Sequence, residues 1–431
     1  MGASAVGIVR LSGPRAIAVA GTLIRGGTPL DALPSHTQRH VVIADPVSGE
    51  RLDDALCAVM RAPRSYTGED VVELSCHGSP ALLRTVIERL CAQGARLASP
   101  GEFTRRAFVN GRMDLAQAEA VALLIGARTE RAVMLAARGV AGELGHTLRA
   151  LREQLVDLMA GLEVALDFPE DGVGIDPAKA AVAVEALLAD VMALRQDAQR
   201  GRLVHDGVTV ALVGAPNAGK SSLLNALVGR ERAIVSDMAG TTRDVIEAII
   251  ELDGIPIRLL DTAGIGAARD ALEAEGIRRS RAAIEDSDLL LVVVDGSRPP
   301  SGAVLEETAP RPRIIVRAKS DLPTDPAAAR LEGAVDISAI TGAGLAVLTE
   351  RICRSMATGG GGELVASLRQ MESLEALQVA LIAARRALTE APVEVALVDF
   401  KDALQHVSSL LGVDVGDAVL DRIFATFCLG K

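Results

Sequence analysis

VTVALVGAPNAGKSSLLNALVG, residues 208–229, decides the fold. The run VTVALV (208–213) is apolar and rich in β-branched residues, as a buried strand requires. The next eight residues fit G-x-x-x-x-G-K-[ST], and SLLNALVG (222–229) has helical spacing and no proline. In that strand–loop–helix context, the loop's N–H groups and the helix N-terminus can wrap a chain of phosphates. Lys220 would reach the terminal phosphate oxygens, and the Ser221 hydroxyl would bind Mg²⁺.

The downstream sequence narrows the ligand. PIRLL (256–260) leads into Asp261-Thr262-Ala263-Gly264, placing an Asp at a strand end where it can hold Mg²⁺ through water. The Gly264 N–H would meet a γ-phosphate. Between loop and Asp lies DMAGTTRD (237–244), where Thr241 or Thr242 can close over the metal; Thr242 is assigned to Mg²⁺ with Ser221. VIEAIIEL (245–252) and IPIRLLD (255–261), joined at Asp253-Gly254, predict an antiparallel hairpin. A hairpin after the phosphate-loop helix is the arrangement of Ras-like G domains rather than of most ATPases. DLLLVVVDGS (288–297) and RIIVRAKSD (313–321) read as two further strands, the second ending in Lys319-Ser320-Asp321. An Asp carboxylate accepts hydrogen bonds from guanine N1 and N2, and adenine offers no such pair. The expected GTP site takes in Asn217, Ala218, Gly219, Lys220, Ser221 and Ser222 of the loop, and Ser236, Asp237, Met238, Ala239, Gly240, Thr241 and Thr242 between the elements. It is completed by Asp261, Thr262, Ala263 and Gly264, by Lys319 and Asp321, and by Ser338 and Ala339 after VDI.

A chain of 431 residues is long enough for two to four domains, and 49% apolar residues argue against general disorder. No apolar run approaches a membrane span, and MGASAVGIVR lacks the basic and apolar regions of a signal peptide. The five cysteines (57, 76, 91, 353, 428) form no metal spacing. These features predict a cytoplasmic protein. A net charge of −11, one Tyr, six Phe and no Trp disfavour broad nucleic-acid binding, so any RNA contact is expected to be local or shared with a basic partner. The basic pairs Arg105-Arg106 and Arg385-Arg386 read as solvated helix faces.

Residues 1–112 mix strands (VGIVRLS, HVVIADP, DALCAVM, DVVELSCHG) with helices near 13–25 and over PALLRTVIERLCAQG, an α+β pattern. From Asp114 the sequence turns helical to DFPEDG, and another helix over about 177–201 leads into the G domain. After a Gly-rich joint (357–362), helices return at 363–390 and 394–411. The predicted division is an α+β domain over 1–112, a helical domain over 113–203 and 358–431, and an α/β P-loop G domain over 204–357 inserted into it.

YTGEDVVELSCHGSPALL, SPGEFTRRAFVNGRMDLAQAEAVALLIGARTE, DFPE, the phosphate loop with DMAGTTRD, and the terminal LDRIFATFCLGK together resemble the MnmE (TrmE) family of tRNA-modification GTPases. The likeness runs in order from about Val6 to Lys431. It implies a folate-binding N-terminal domain through which two copies dimerise, and a heterotetramer with a flavoprotein, MnmG, carrying FAD. That complex would use 5-formyl- or 5,10-methylene-tetrahydrofolate to build an aminomethyl or carboxymethylaminomethyl group on C5 of the tRNA wobble uridine. The alternative is a regulatory or ribosome-assembly GTPase that binds RNA without chemistry; an appended basic domain would favour it, and none is visible. The resemblance also implies K⁺ held by the Asn217 side chain and the carbonyls of Ser236, Met238 and Thr241. Ras-like enzymes orient water with a Gln after the DTAG glycine; here that position is Ile265, and the family points instead to Glu273. Folate would meet Arg10, Glu73, Arg112 and Lys431, and Cys428 is a candidate functional thiol.

Two departures matter. Ala318 replaces the Asn of the guanine motif N-K-x-D, which should weaken nucleotide binding by about 1–3 kcal/mol while Asp321 keeps guanine selectivity. The family also places a short strand before the segment matching Val6–Gly13. Without it, an exposed sheet edge is expected to impair folate binding or dimerisation.

Overall fold

The computed structural model describes residues 3–168, 174–233, 246–262, 281, 284–356, 362–413, 415–427 and 430. The chain divides into two compact units. One comprises Met1–Ala122, Val140–Glu163 and Phe400–Lys431, the other Leu123–Gly139 and Val164–Asp399, so helical sequence is shared between them.

The first unit is built on an antiparallel sheet of β1 (Val6–Ser12), β2 (Ile24–Arg25), β3 (Thr37–Ala44), β4 (Arg51–Met60) and β5 (Val71–His77), in the order β1-β5-β4-β3-β2. Alternation sends Val72, Leu74 and Cys76 into a core with Val9, Leu11, Ile43, Cys57 and Val59. Helices α1 (Ala16–Gly21) and α2 (Pro80–Ala92) supply Ala20, Val86 and Leu90 to that core. The opposite face carries Ile8, Arg10, Leu56 and Glu73. α2 starts where Ser79 Oγ accepts from the Leu82 N–H, with Pro80 in the first turn.

Beside this sheet, α3 (Glu102–Val109) and α4 (Leu115–Gly126) receive the C-terminal helix Asp417–Ala425. Leu115, Ala118, Leu420, Phe424 and Phe427 form one buried cluster, the two phenyl centroids 5.2 Å apart. Gly101, at φ +67°, permits the contact: a Cβ there would lie 2.6 Å from the Phe424 carbonyl oxygen. The PGEF segment and the chain's last helix thus meet around one glycine.

The second unit holds a seven-stranded sheet of β6 (Val208–Val213), β7 (Arg232–Ala233), β8 (Ile246–Leu252), β9 (Ile255–Asp261), β10 (Leu289–Asp295), β11 (Arg313–Ala318) and β12 (Val335–Asp336). Its order is β12-β11-β10-β6-β9-β8-β7. β6, β9, β10, β11 and β12 run parallel, while β8 pairs antiparallel with both β9 and β7. Leu212, Leu223, Leu227, Leu259 and Leu291 pack on one face and Ala211, Val213, Leu290 and Val292 on the other. Burial on both faces explains why these strands read as unbroken apolar runs. β6 lies between β9 and β10, so the loop after it opens at the switch point of the sheet.

Helices flank the sheet in this unit. α7 (Pro177–Asp206), capped by Asp176, runs along the helix Leu368–Glu390, which opens on a Ser367–Gln370 capping box. Arg195 links the two through Gln378 (2.8 Å) and Glu375 (2.9 Å). The helical run from Asp114 is broken into α4, α5 (Glu130–Val140) and α6 (Glu143–Asp167). The helix expected near 13–25 shortens to α1, because Ile24 and Arg25 pair with Ile43 and Val42. The segment 362–367 precedes the next helix rather than joining it.

Candidate functional site

The phosphate loop connects β6 to α8 (Lys220–Arg230), whose N-cap, Gly219, sits at φ +104°. That left-handed turn aims the first N–H groups of α8 into the loop. Lys220 is buried, and its ammonium donates to the Gly214 and Ala215 carbonyls at 3.1 and 3.0 Å. Burial lowers its pKa and the Asp261 charge opposes the fall; an anion beside the ammonium would likewise favour its charged form.

Ser221 and Asp261 stand together. The Ser221 hydroxyl donates to Asp261 Oδ2 at 2.5 Å, and Asp261 Oδ1 is buried without a hydrogen-bond partner. A hydroxyl and a half-satisfied carboxylate at the mouth of a phosphate loop are hard oxygen donors of the kind Mg²⁺ takes. Thr262, next in sequence, turns away: its hydroxyl donates to the Leu212 carbonyl at 2.7 Å, tying β9 to β6.

Residues at three strand ends converge beside the phosphate loop. Lys319, at φ +61°, sends its ammonium to the Asn217 carbonyl (3.1 Å) and to Asp295 Oδ2 (2.6 Å). The Ser320 N–H donates to the Ile337 carbonyl at 3.0 Å, joining this loop to the one carrying Ser338 and Ala339. Ser338 is buried, its hydroxyl accepting from the Thr341 N–H, whereas Asp321 is exposed. Ala318 is buried, its methyl directed at Gly219.

Asp295 had no role in the sequence reading. Its Oδ1 accepts from the Ser297 N–H and hydroxyl at 3.0 and 2.6 Å. Burial alone would raise its pKa; the Lys319 and Ser297 hydrogen bonds outweigh this and keep the carboxyl ionised below its usual range. The signal was present as an Asp ending a wholly apolar strand, DLLLVVVD, but its partner Lys319 lies a strand away.

In the first unit, Arg10 and Glu73 face each other across β1 and β5, with Arg10 Nε 2.7 Å from Glu73 Oε1. The Arg10 guanidinium lies over the Tyr66 and Phe103 rings, 5.8 and 5.6 Å from their centroids, and donates to the Gly430 carbonyl at 3.3 Å. Arg112 is exposed, its stem over Gly68 of the Tyr66 loop. Arg106 bonds Glu69 (2.9 Å) and Glu102 (2.7 Å), while Arg105 reaches Asp417 (3.0 Å), so this basic pair is neutralised by carboxylates. Arg386 pairs with Glu390 and Arg385 with Glu185. Ser236, Asp237, Met238, Ala239, Gly240, Thr241, Thr242, Ala263, Gly264, Ile265, Glu273, Cys428 and Lys431 lie outside the described residues. Among the described residues no group of His, Cys, Asp and Glu has the makings of a metal cluster, and no helix is long and apolar enough to cross a membrane.

The switch-point phosphate loop, the Ser221–Asp261 pair and the antiparallel β8 define a P-loop GTP hydrolase with a Ras-like G domain. Residues 1–112 match the family described as GTP-binding protein TrmE N-terminus, and residues 115–428 the MnmE helical domain. The chain is 44% identical over 438 residues to a tRNA modification GTPase MnmE of Thermus thermophilus, covering 100% of this chain and 97% of that protein. It is 42% identical over 441 residues to the one from Koribacter versatilis, with the same coverage of each. The chain belongs to the tRNA modification GTPase MnmE family.

Proposed function

We propose that the chain hydrolyses GTP to drive conformational cycling in a complex that modifies the wobble uridine of tRNA. The observation that carries this reading is the Ser221–Asp261 pair with its unpartnered Oδ1, on a scaffold fused to a TrmE-type N-terminal domain. Lys220 and the N–H groups of α8 would hold the phosphates, Ser221 and Thr242 would hold Mg²⁺ with Asp261 reaching it through water, the metal would supply charge neutralisation, and Asp321 would select guanine. Glu273 orients the attacking water in place of Ile265. The Asn217 side chain and the carbonyls of Ser236, Met238 and Thr241 would hold K⁺, which would supply the charge neutralisation that an arginine finger supplies elsewhere.

The N-terminal domain binds the tetrahydrofolate one-carbon carrier. The Glu73 carboxylate suits the amide and amino edge of a pteridine, and the Arg10 guanidinium, held by Tyr66 and Phe103, lies beside it. Arg112 and Lys431 complete this site, with Cys428 on the same tail. Two copies associate through these domains and engage an MnmG-type flavoprotein whose FAD handles the electrons. Segments 113–203 and 358–431 act as the helical relay between G domain and modification site. Reconstitution tests the reading: chain, FAD-loaded flavoprotein, 5,10-methylene-tetrahydrofolate, GTP, Mg²⁺, K⁺, unmodified tRNA and an amine donor (ammonium or glycine, the source of the side chain's nitrogen) should yield a C5-modified wobble uridine by mass spectrometry. Equal yield with a non-hydrolysable GTP analogue would refute the role of hydrolysis.

A further inference from the structure

The β8–β9 hairpin is held at both ends. At its open end, β9 delivers Asp261 to Ser221. At its closed end, Asp253-Gly254 is gripped by side chains from outside the seven-stranded sheet. Thr129 Oγ1 donates to the Gly254 carbonyl at 2.7 Å, and an Arg131 terminal nitrogen donates to the Asp253 carbonyl at 2.7 Å. The rest of the Arg131 guanidinium is engaged by Glu363, with Nε 3.3 Å from Oε2 and the second terminal nitrogen on Oε1.

These contacts are more than a turn requires. Asp253 and Gly254, at φ +51° and +75°, already form the tight left-handed turn that closes a two-residue hairpin. Thr129 is only 4% exposed, and its hydroxyl also accepts from the Ala132 N–H at 3.2 Å. One oxygen therefore caps α5 and clamps the hairpin. The approach is close: a Cβ on Gly254 would lie 2.8 Å from Arg131 Cβ. Between the two ends, β8 and β9 are paired in register from Ile246–Asp261 to Leu252–Ile255. A seven-residue strand pair is a stiff rod of about 20 Å, so displacement at one end is felt at the other.

We propose that Thr129 and Arg131 are positioning residues for GTP hydrolysis, acting through the hairpin on Asp261. Arg131 is braced by Glu363, five residues before the helix Leu368–Glu390, so the clamp ties the nucleotide site to helical sequence on both sides of the G domain. Coupling is reciprocal: a nucleotide state that shifts Asp261 must load the clamp. This rests on reading Asp261 as the metal-side carboxylate.

The full-length chain tests it through three substitutions, two of them paired at Thr129. Thr129→Val keeps the shape and removes the hydroxyl, and Thr129→Ser keeps the hydroxyl; Arg131→Met keeps the stem and removes the guanidinium. We expect Thr129→Val and Arg131→Met to lower the single-turnover GTP hydrolysis rate on the order of 5- to 20-fold at saturating Mg²⁺. GDP affinity should stay within about twofold, and Thr129→Ser should recover the rate. Folded variants with wild-type rates, or a Thr129→Ser as slow as Thr129→Val, overturn the proposal. Should the variants not fold, hydrogen exchange on the wild-type chain decides. Amides 129–133 and 252–255 should differ in protection between GDP and a GTP analogue, and identical protection overturns it. A wild-type chain that hydrolyses no GTP would instead sink the reading of Asp261.

Discussion

Removing the Asp295 carboxylate should loosen the guanine site through Lys319. The Lys319 ammonium has two partners, the Asn217 carbonyl and Asp295 Oδ2, and the second is the shorter at 2.6 Å. A hydrogen bond between charged groups contributes about 1.5–3 kcal/mol when sheltered. Asp295 is sheltered, with 12% of its side chain exposed, but Lys319 is 35% exposed, so water screens part of the interaction. About 1–2 kcal/mol remains, which corresponds to roughly 5- to 30-fold weaker GDP binding for Asp295→Ala. Calorimetric titration with GDP, beside a thermal melt to establish folding, measures this. Because Asp295 acts through Lys319, the double variant Asp295→Ala/Lys319→Ala should bind no more weakly than Lys319→Ala alone. A folded Asp295→Ala within twofold of wild type, or additive losses in the double variant, would show that Asp295 does not act on the nucleotide through Lys319.

Ala318→Asn should tighten GDP binding by about 5- to 150-fold, the equivalent of one or two hydrogen bonds, with GTP still preferred over ATP in competition; ATP binding alongside GTP in either protein would contradict the role of Asp321. GTP turnover should rise steeply in K⁺ relative to Na⁺, and Asn217→Ala should flatten the difference; equal turnover of the wild type in both salts would remove K⁺ from the mechanism. Glu102, hydrogen-bonded by Arg96, by the Ser99 N–H and by Arg106, has its carboxyl pulled down from 4.5 to about 2. Its ionised form therefore stabilises the fold above the usual carboxylate range, and that contribution fades as pH falls toward 2. Denaturant unfolding should accordingly find Glu102→Gln less stable than wild type near neutrality, with the gap closing in acid. Gly101→Ala should lower the melting temperature, since its Cβ would strike the Phe424 carbonyl at a left-handed φ of +67°.

What the sequence disclosed was local. The strand VTVALV, the phosphate-loop helix and the Asp253-Gly254 turn are each specified by neighbours a few residues apart, and the structure has all three where they were read. The breaks in the helical run also had local signals: Gly126 stops α4, Thr129 caps α5, and Gly142 at φ +94° precedes α6. Apolar periodicity runs straight through such breaks, which hid them. The two-residue β2 could not be read at all, because only pairing with Ile43 and Val42 makes it a strand. The Lys319–Asp295 pair, the Arg131–Glu363 brace and the packing of Phe424 on Gly101 join residues distant in sequence. No single-segment pattern records such contacts. The Arg10–Glu73 pairing lies between these cases: both residues carried a motif, but only the β1–β5 register shows them bonded to each other.

GTP hydrolysis at the Lys220–Ser221–Asp261 site is expected to serve tRNA modification. Mass spectrometry of tRNA nucleosides tests it most directly, using a strain lacking this gene and complemented with the wild-type chain or with Lys220→Ala. The C5-modified wobble uridine should disappear on deletion, return with the wild-type chain and stay absent with Lys220→Ala expressed at equal level. Unchanged wobble uridine on deletion, or full restoration by Lys220→Ala, would contradict it.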